Sequence, residues 1–388
     1  MSKNKVKYIG FYDLPLNNRN RVSNLAAINK MNYVIRSMNK IGYGVEIISP
    51  SWLKEESAVK YDKFKRIKFN SINTLVLFPS WKTKSHFMRN IKILFTLIFF
   101  CVYLIINTKR DEKIIVYHAQ WLSYPIKIAK KIKRFNIILE VEEIYSEVWK
   151  ESQKLKKMEF ELINLANAYI CVSNRLERRL VNHLNKPSIV LYGNYEYYGM
   201  RKHTFNRYND INLVYAGSID STKGGAFIAL DTMRYLPNNY KLTILGTGSP
   251  ENIHKMQSII EEINQTKKSN VCNYRGVLTG QEFSTFLFKC QIALNPQKSG
   301  NYMETAFPSK VMTYLGHGLK VVSTQIVSIV ESPLGKYVNF SINDSPVSIA
   351  KTILNVSNDS VDTEKILNDL DIKFRNELKC ILEGKLNE

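Results

Sequence analysis

The sequence predicts an α/β protein made of two Rossmann-like domains, each a doubly wound parallel sheet. Three observations predict it. Short apolar runs alternate with periodic stretches of roughly 10–15 residues, the pattern that right-handed βαβ units produce. That rhythm lapses between Tyr192 and Asn209, a stretch rich in Gly, Asn and Tyr, and then begins again. With 388 residues, 45% of them hydrophobic and 23% charged, the chain can bury two cores and does not read as disordered.

In the first half, VKYIGFY (6–12) and VEIISP (45–50) read as strands flanking a helix from Leu25 to Ile41. LVLFP (75–79) follows, then an apolar helix, IIVYHA (114–119), a helix over 124–134, IILEVEE (137–143), a helix over 147–166 and AYICVS (168–173). In the second half, INLVYAGS (211–218), KLTILGTG (241–248), VCNYRG (271–276), QIALNP (291–296) and KVVST (320–324) are the strands. Helices over 224–235, over 251–266 and from Ser309 lie between them, and a charged amphipathic helix occupies 362–388. The expected domains are therefore 1–195 and 205–361, facing each other across a cleft, with the 362–388 helix packing back on the first domain.

Charge divides the halves. Residues 1–200 hold 34 Lys and Arg against 16 Asp and Glu (34 − 16 = +18), whereas 201–388 hold 21 against 18 (21 − 18 = +3). The first half is expected to meet something anionic, or to be kept soluble by its charge. Nucleic acid ranks last among the expected partners, because no aromatic–basic reading motif accompanies the charge. The five cysteines are scattered without C-x-x-C or histidine spacing, so neither a disulfide framework nor a zinc site is expected. The N-terminus carries no secretory h-region, which suggests a cytoplasmic protein. Ile93 to Asn107 is a run of 15 uncharged residues flanked by Lys84, Arg89, Lys92, Lys109 and Arg110. A spanning helix needs roughly 20, so this one is expected to dock on an anionic membrane surface without crossing it. YPIKIAKKIKRF (124–135) repeats the basic amphipathic pattern.

In open parallel sheets ligands bind beyond the carboxyl ends of the strands, and three junctions there favour phosphate. AGSIDSTKGG (216–225) joins small residues, Gly217 and Ser218 among them, to Lys223 at a helix start. LGTGSPENI (245–253) places Gly246 and Gly248 after the next strand. AFPSKVMTYL puts Pro308, Ser309 and Lys310 at another helix start. Together they point to a nucleoside diphosphate, with ordinary turn and cap geometry as the competing account.

The order and spacing of YAGSIDSTKGG, LTILGTGSPENI, NYRGVLTGQEF and ALNPQKSGNYMETAFPSKVMTYLGHGLKVVST, over residues 212–325, resemble the donor domain of family-4 (group 1) glycosyltransferases with the GT-B fold. VYHAQW and LEVEEIYSEVW are similar to strand ends of the acceptor domain in members that assemble bacterial surface polysaccharide. The resemblance implies transfer of a sugar from a nucleotide-diphosphate sugar with retained configuration, no metal, and no cofactor beyond the co-substrate. It puts Glu304 and His118 by the donor sugar, Lys223 and the amides around Pro308 and Ser309 on the diphosphate, and Arg275 and Gly276 at the base. Two positions depart from the pattern. Thr313 stands where the family has the glutamate that binds the donor ribose, and Ser218 where it commonly has an arginine. A threonine cannot make the charge-assisted pair a carboxylate makes with two hydroxyls.

On the acceptor side, Glu140 and Glu142 share one face of a strand end and Glu143 takes the other. Glu142 or Glu143 orients an acceptor hydroxyl or takes its proton, or else these carboxylates pair with nearby lysines; both readings stand. Arg19 and Arg21, in the loop after the first strand, are candidates for an acceptor pyrophosphate. The expected activity is transfer to a lipid-linked oligosaccharide at the inner face of the cytoplasmic membrane. A nucleotide-sugar epimerase or hydrolase on the same fold, and an inactive donor-binding subunit, are the competing readings.

Overall fold

The computed structural model describes residues 4–14, 20–148, 152–181, 185–199, 210–222, 224–298, 304–357 and 361–385. The chain divides into two compact units, Met1–Asn194 with Lys373–Glu388, and Tyr195–Ile372.

The first unit is built on β1 (Asn4–Ile9), β2 (Tyr43–Ser49), β4 (Lys65–Lys68), β5 (Thr74–Leu77), β7 (Lys113–Tyr117), β8 (Asn136–Val141), β9 (Ala168–Cys171) and β10 (Ser188–Val190). They form one sheet in the order β10-β9-β8-β7-β1-β2-β5-β4, parallel except for β4. The order reverses direction between β1 and β7, so the switch point lies beyond their carboxyl ends. Continuous apolar runs such as Ile47–Ile48 and Ile137–Leu139 mark strands covered on both faces. Helix α1 (Leu25–Lys40) starts where the Asn24 side chain accepts the Ala26 amide at 2.8 Å. Helices α2 (His86–Asn107), α3 (Ser123–Lys133), α4 (Tyr145–Val148), α5 (Gln153–Leu165) and α6 (Asn174–Val181) complete the layers, with a two-stranded ribbon of β3 (Tyr61–Asp62) and β6 (Ser80–Trp81).

The helix expected over 147–166 is two elements, α4 and α5, because Ser152 caps a fresh helix through the Leu155 amide. Strand β4 was not legible: KRIK offers one apolar residue and lies at the exposed edge of the sheet.

The second unit carries β11 (Ile211–Ala216), β12 (Tyr240–Leu245), β13 (Cys272–Tyr274), β14 (Ile292–Asn295), β15 (Lys320–Ser323) and β16 (Val338–Phe340), all parallel, in the order β13-β12-β11-β14-β15-β16. Its switch point falls between β11 and β14. Helix α7 (Gly225–Met233) follows β11, and α8 (Pro250–Lys267) follows β12 with Ser249 accepting the Asn252 amide and Pro250 in its first turn. Helix α9 (Gly280–Leu287) precedes β14, and α10 (Lys310–Gly316) leads into β15. Helices α11 (Val327–Val330) and α12 (Pro346–Leu354) precede α13 (Glu364–Glu383). Both sheets are doubly wound, as the alternating pattern predicts.

The carboxyl-terminal part of α13 belongs to the first unit. There Phe374 lies against Tyr33, with ring centroids 5.9 Å apart, and Lys113 donates to the last-turn carbonyls of Ile381 and Leu382 at 3.0 and 2.8 Å.

Candidate functional site

At the carboxyl end of the second unit's sheet, three loops pack backbone against backbone. The Gly217 amide donates to the Leu245 carbonyl (3.0 Å), the Gly246 amide to the Gly276 carbonyl (2.8 Å) and the Ile219 amide to the Thr247 carbonyl (2.9 Å). Glycine is required here. A Cβ on Gly246 would overlap the Gly217 carbonyl oxygen, and its φ of +136° excludes other residues besides. A Cβ on Gly248 would strike the Ile219 carbonyl oxygen. The loops expected to cradle phosphate therefore meet one another backbone to backbone, with the Tyr274 hydroxyl donating to the Gly246 carbonyl at 2.9 Å.

Lys310 enters the same place. Its Nζ lies 4.0 Å from the Tyr215 ring centroid and 2.9 Å from where a Gly217 Cβ would stand. The Tyr215 hydroxyl donates to the Ser218 carbonyl at 3.1 Å, and buried Tyr314 receives the Ala216 amide on its hydroxyl at 2.7 Å. So Gly217, Ser218, Gly246, Gly248, Gly276 and Lys310 are brought together, with one charged amine among them. Pro308 and Ser309 directly precede α10, and Ser309 is exposed.

Thr313, one turn into α10, offers its carbonyl to His317 Nδ1 at 2.7 Å. His317 bonds Ser284 through Nε2 at 2.7 Å and stacks on Tyr198 at 4.3 Å, and burial lowers its pKa. It is a packing residue of this unit. Arg275 is exposed, with its guanidinium 5.4 Å from the centroid of the Phe286 ring. Glu304 is exposed just ahead of buried Thr305 and Phe307. Lys223 lies outside the described residues.

The first unit gathers ionisable groups at the corresponding edge of its own sheet. His118 directly follows β7, and its amide donates to the Glu140 carbonyl of β8 at 2.8 Å. The ring is buried, 5.2 Å from that of Tyr145 (centroid to centroid), with Nε2 3.6 Å from Glu159. Burial pushes the imidazole below the ordinary histidine range, while the Glu159 charge and the Glu143 backbone pull it back. Glu159, fully buried on α5, accepts the amides of Tyr145 and Ser146 at 2.6 and 2.9 Å and so fixes the start of α4. It escaped the sequence reading. The available signal was a carboxylate inside an apolar helical stripe, Met158–Glu159 with Leu162–Ile163.

Glu140, the last residue but one of β8, is wholly buried and accepts the Tyr8 hydroxyl. Burial, then the Glu142 charge, push its pKa up to about 8 against the partial relief given by Lys30 and Tyr8. Its Oε1 and the Ser146 Oγ are buried without a hydrogen-bond partner within the chain. Glu142 pairs with buried Lys30 at 3.1 Å, and the same amine donates to the Leu191 carbonyl at 2.6 Å. Of the two readings for these carboxylates, Glu142 thus has its lysine partner and still sits beside Glu140; Glu143 is half-buried at the His118 ring.

Arg21 departs from its expected role. It is 1% exposed, and its guanidinium donates to Asp62 (2.7 and 3.1 Å) and to the carbonyls of Ser51 (2.5 Å) and Phe78 (2.8 Å). Four of its five N–H donors are spent on buried acceptors and the side chain is almost wholly enclosed, so it is not placed to meet a pyrophosphate. Arg19 lies outside the described residues. All five cysteines are free, and among the described residues no group of three His, Cys, Asp or Glu is placed to hold a metal ion.

No family model matches the sequence, and no curated protein matches it. Solved structures do. Trehalose-6-phosphate synthase (OtsA) superposes with a TM-score of 0.70 at 10% identity, over 99% of each chain. Sucrose-phosphate synthase from Thermosynechococcus elongatus gives 0.66 at 12%, over 99% of this chain and 96% of that one. Anabaena Alr3699/HepE, in complex with UDP and glucose, gives 0.65 at 12%, over 98% and 100%. At these identities the likeness is one of fold, and the fold of this chain is GT-B.

Proposed function

We propose that the protein is a retaining glycosyltransferase of family 4 that moves a sugar from a nucleotide-diphosphate sugar to a saccharide acceptor, lipid-linked, in surface polysaccharide assembly. The observation that carries the reading is the glycine junction of Gly217, Gly246 and Gly276 at a topological switch point, with the Lys310 amine beside it. Backbone can approach a diphosphate there, and a cation can meet its charge. The structures of similar fold favour a uridine diphosphate sugar as the first donor to try, since HepE is in complex with UDP and glucose.

In this reading the bond between the anomeric carbon and the diphosphate oxygen breaks, and the acceptor hydroxyl oxygen forms the new bond on the same face. Negative charge grows on the departing diphosphate, where Lys310 and Lys223 oppose it. Glu304 and the neutral His118 attend the sugar. On the acceptor side, Glu140, protonated at neutral pH, donates a hydrogen bond through its free oxygen, while the carboxylate of Glu142 beside it receives the acceptor's proton. The reaction needs no metal and no further cofactor.

Thermal-shift screening against UDP, dTDP, GDP and ADP, followed by their sugar conjugates, tests the donor side. A diphosphate at about a hundred times its Kd adds about 2.7 kcal/mol to the unit that binds it. One diphosphate should raise Tm, and Lys310→Ala should abolish that rise; no shift with any of them overturns the reading. Turnover of donor without acceptor would instead favour an epimerase or hydrolase. Binding without turnover in the presence of saccharide acceptors would favour an inactive subunit, a reading to which Thr313 and Ser218 lend weight.

A further inference from the structure

The helix α2 is 22 residues long and, by length and composition, apolar enough to cross a membrane. One face of it is packed. Ile93, Thr96, Phe100 and Leu104 are buried, and Phe78 meets Phe99, Phe100 and Tyr103 edge-on at 5.4–5.8 Å. Lys92 is buried too, its amine on the Leu53 carbonyl at 2.8 Å. The opposite face is bare: Phe87 (72% exposed), Leu94 (60%), Ile98 (55%) and Ile106 (71%) recur at helical spacing along a stripe of roughly 30 Å. Helix α3 packs beside α2 and continues the surface with Ile128 and Ile132, both at least half exposed, preceded by half-exposed Trp121. Such a contiguous apolar patch is rare on a soluble monomer without a partner.

We infer that α2 and α3 seat the first unit on an anionic lipid bilayer, lying in its interface plane. Charge selects this occupant. Residues 82–134 carry twelve Lys and Arg against two Asp and Glu (12 − 2 = +10). A second copy of the chain would bring the same positive charge against itself, whereas anionic headgroups neutralise it. Packing selects the orientation. A spanning α2 would strip its aromatic contacts and take the Lys92 amine from the Leu53 carbonyl into hydrocarbon. An in-plane helix keeps its inner face and buries only the bare stripe. The inference stands whatever donor the second unit takes.

Flotation of the full chain with vesicles tests it, using phosphatidylcholine alone and phosphatidylcholine with about a third phosphatidylglycerol. The expected result is recovery with the anionic vesicles at least tenfold above that with the neutral ones, falling as salt is raised. Leu94→Asp with Ile98→Asp, both exposed and tolerable to the fold, should abolish recovery. Lys84→Glu with Lys131→Glu should remove the preference for anionic lipid. Brominated lipid should quench fluorescence that Trp121→Phe eliminates. Equal recovery on both vesicles, or no recovery, overturns the inference. So does retention in the membrane through alkaline extraction, which means a spanning helix. Lipid-free dimerisation reversed by Ile98→Asp assigns the face to a second copy and overturns it equally.

Discussion

Replacing Glu140 by glutamine isolates one buried charge and predicts how the stability of the first unit depends on pH. The wild-type carboxyl, pushed up to about 8 from an ordinary 4.5, keeps its proton in the folded state where the unfolded chain has released it. The folded state therefore binds more protons between those values, and stability falls as pH rises through that window. At about 1.4 kcal/mol per pH unit the shift corresponds to about 5 kcal/mol, most of which falls between pH 5 and pH 8. Relaxation around the buried carboxylate and residual structure in the unfolded chain reduce this, and about half of it is the lower expectation. A glutamine carbonyl still accepts the Tyr8 hydroxyl and carries no charge to bury. Glu140→Gln should thus gain on wild type by about 2–3 kcal/mol as pH rises from 5 to 8. All four tryptophans lie within residues 1–194, so urea unfolding followed by tryptophan fluorescence reads the first unit alone. If the two proteins show parallel pH dependence, Glu140 is ionised in the folded state and the assignment of a protonated donor beside Glu142 fails.

Glu304→Gln and Lys223→Ala should each lower transfer at least tenfold with the fold intact, and EDTA should leave wild-type transfer unchanged; normal rates in both variants would misplace the donor site. His118→Ala should cut transfer while leaving the UDP-induced thermal shift as it was, because the residue belongs to the first unit; loss of that shift would contradict this. Gly246→Ala forces a Cβ onto the Gly217 carbonyl at a backbone angle closed to alanine, so calorimetry should show the second unit destabilised by about 3 kcal/mol or more. Arg21→Lys removes a planar fork serving three acceptors, and urea titration should show a loss of about 3 kcal/mol without a specific loss of acceptor binding.

The fold was legible because its strands are buried on both faces and so announce themselves as unbroken apolar runs. The glycine loops of the second unit were legible for a related reason. Close approach of backbone to backbone admits only glycine at Gly246 and Gly248, and a positive φ of 71° favours it at Gly276. What stayed hidden lies in pairings set by tertiary structure. Arg21 sits in a polar loop and reads as solvated, yet the ribbon residue Asp62, 41 positions on, draws it into the interior. Glu159 looks like one more charge on a helix until Tyr145 and Ser146 claim its oxygens. The edge strand β4 owes its form to β5 and has no apolar signature of its own.

The two units thus prepare their strand ends by opposite means. The second packs glycine loops backbone to backbone, with the Lys310 amine beside them. The first crowds side chains in, and the resulting desolvation pushes the His118 imidazole down and the Glu140 carboxyl up, while Glu142 pairs with Lys30. A backbone surface is indifferent to pH, whereas the crowded cluster titrates. UDP binding should therefore be flat across about pH 7.5–9, where its own terminal phosphate is fully ionised, while transfer should fall as Glu140 loses its proton near pH 8. Measuring the UDP Kd and the transfer rate over that range separates the two sites; a parallel decline of both would mean that one titrating group serves binding and transfer alike.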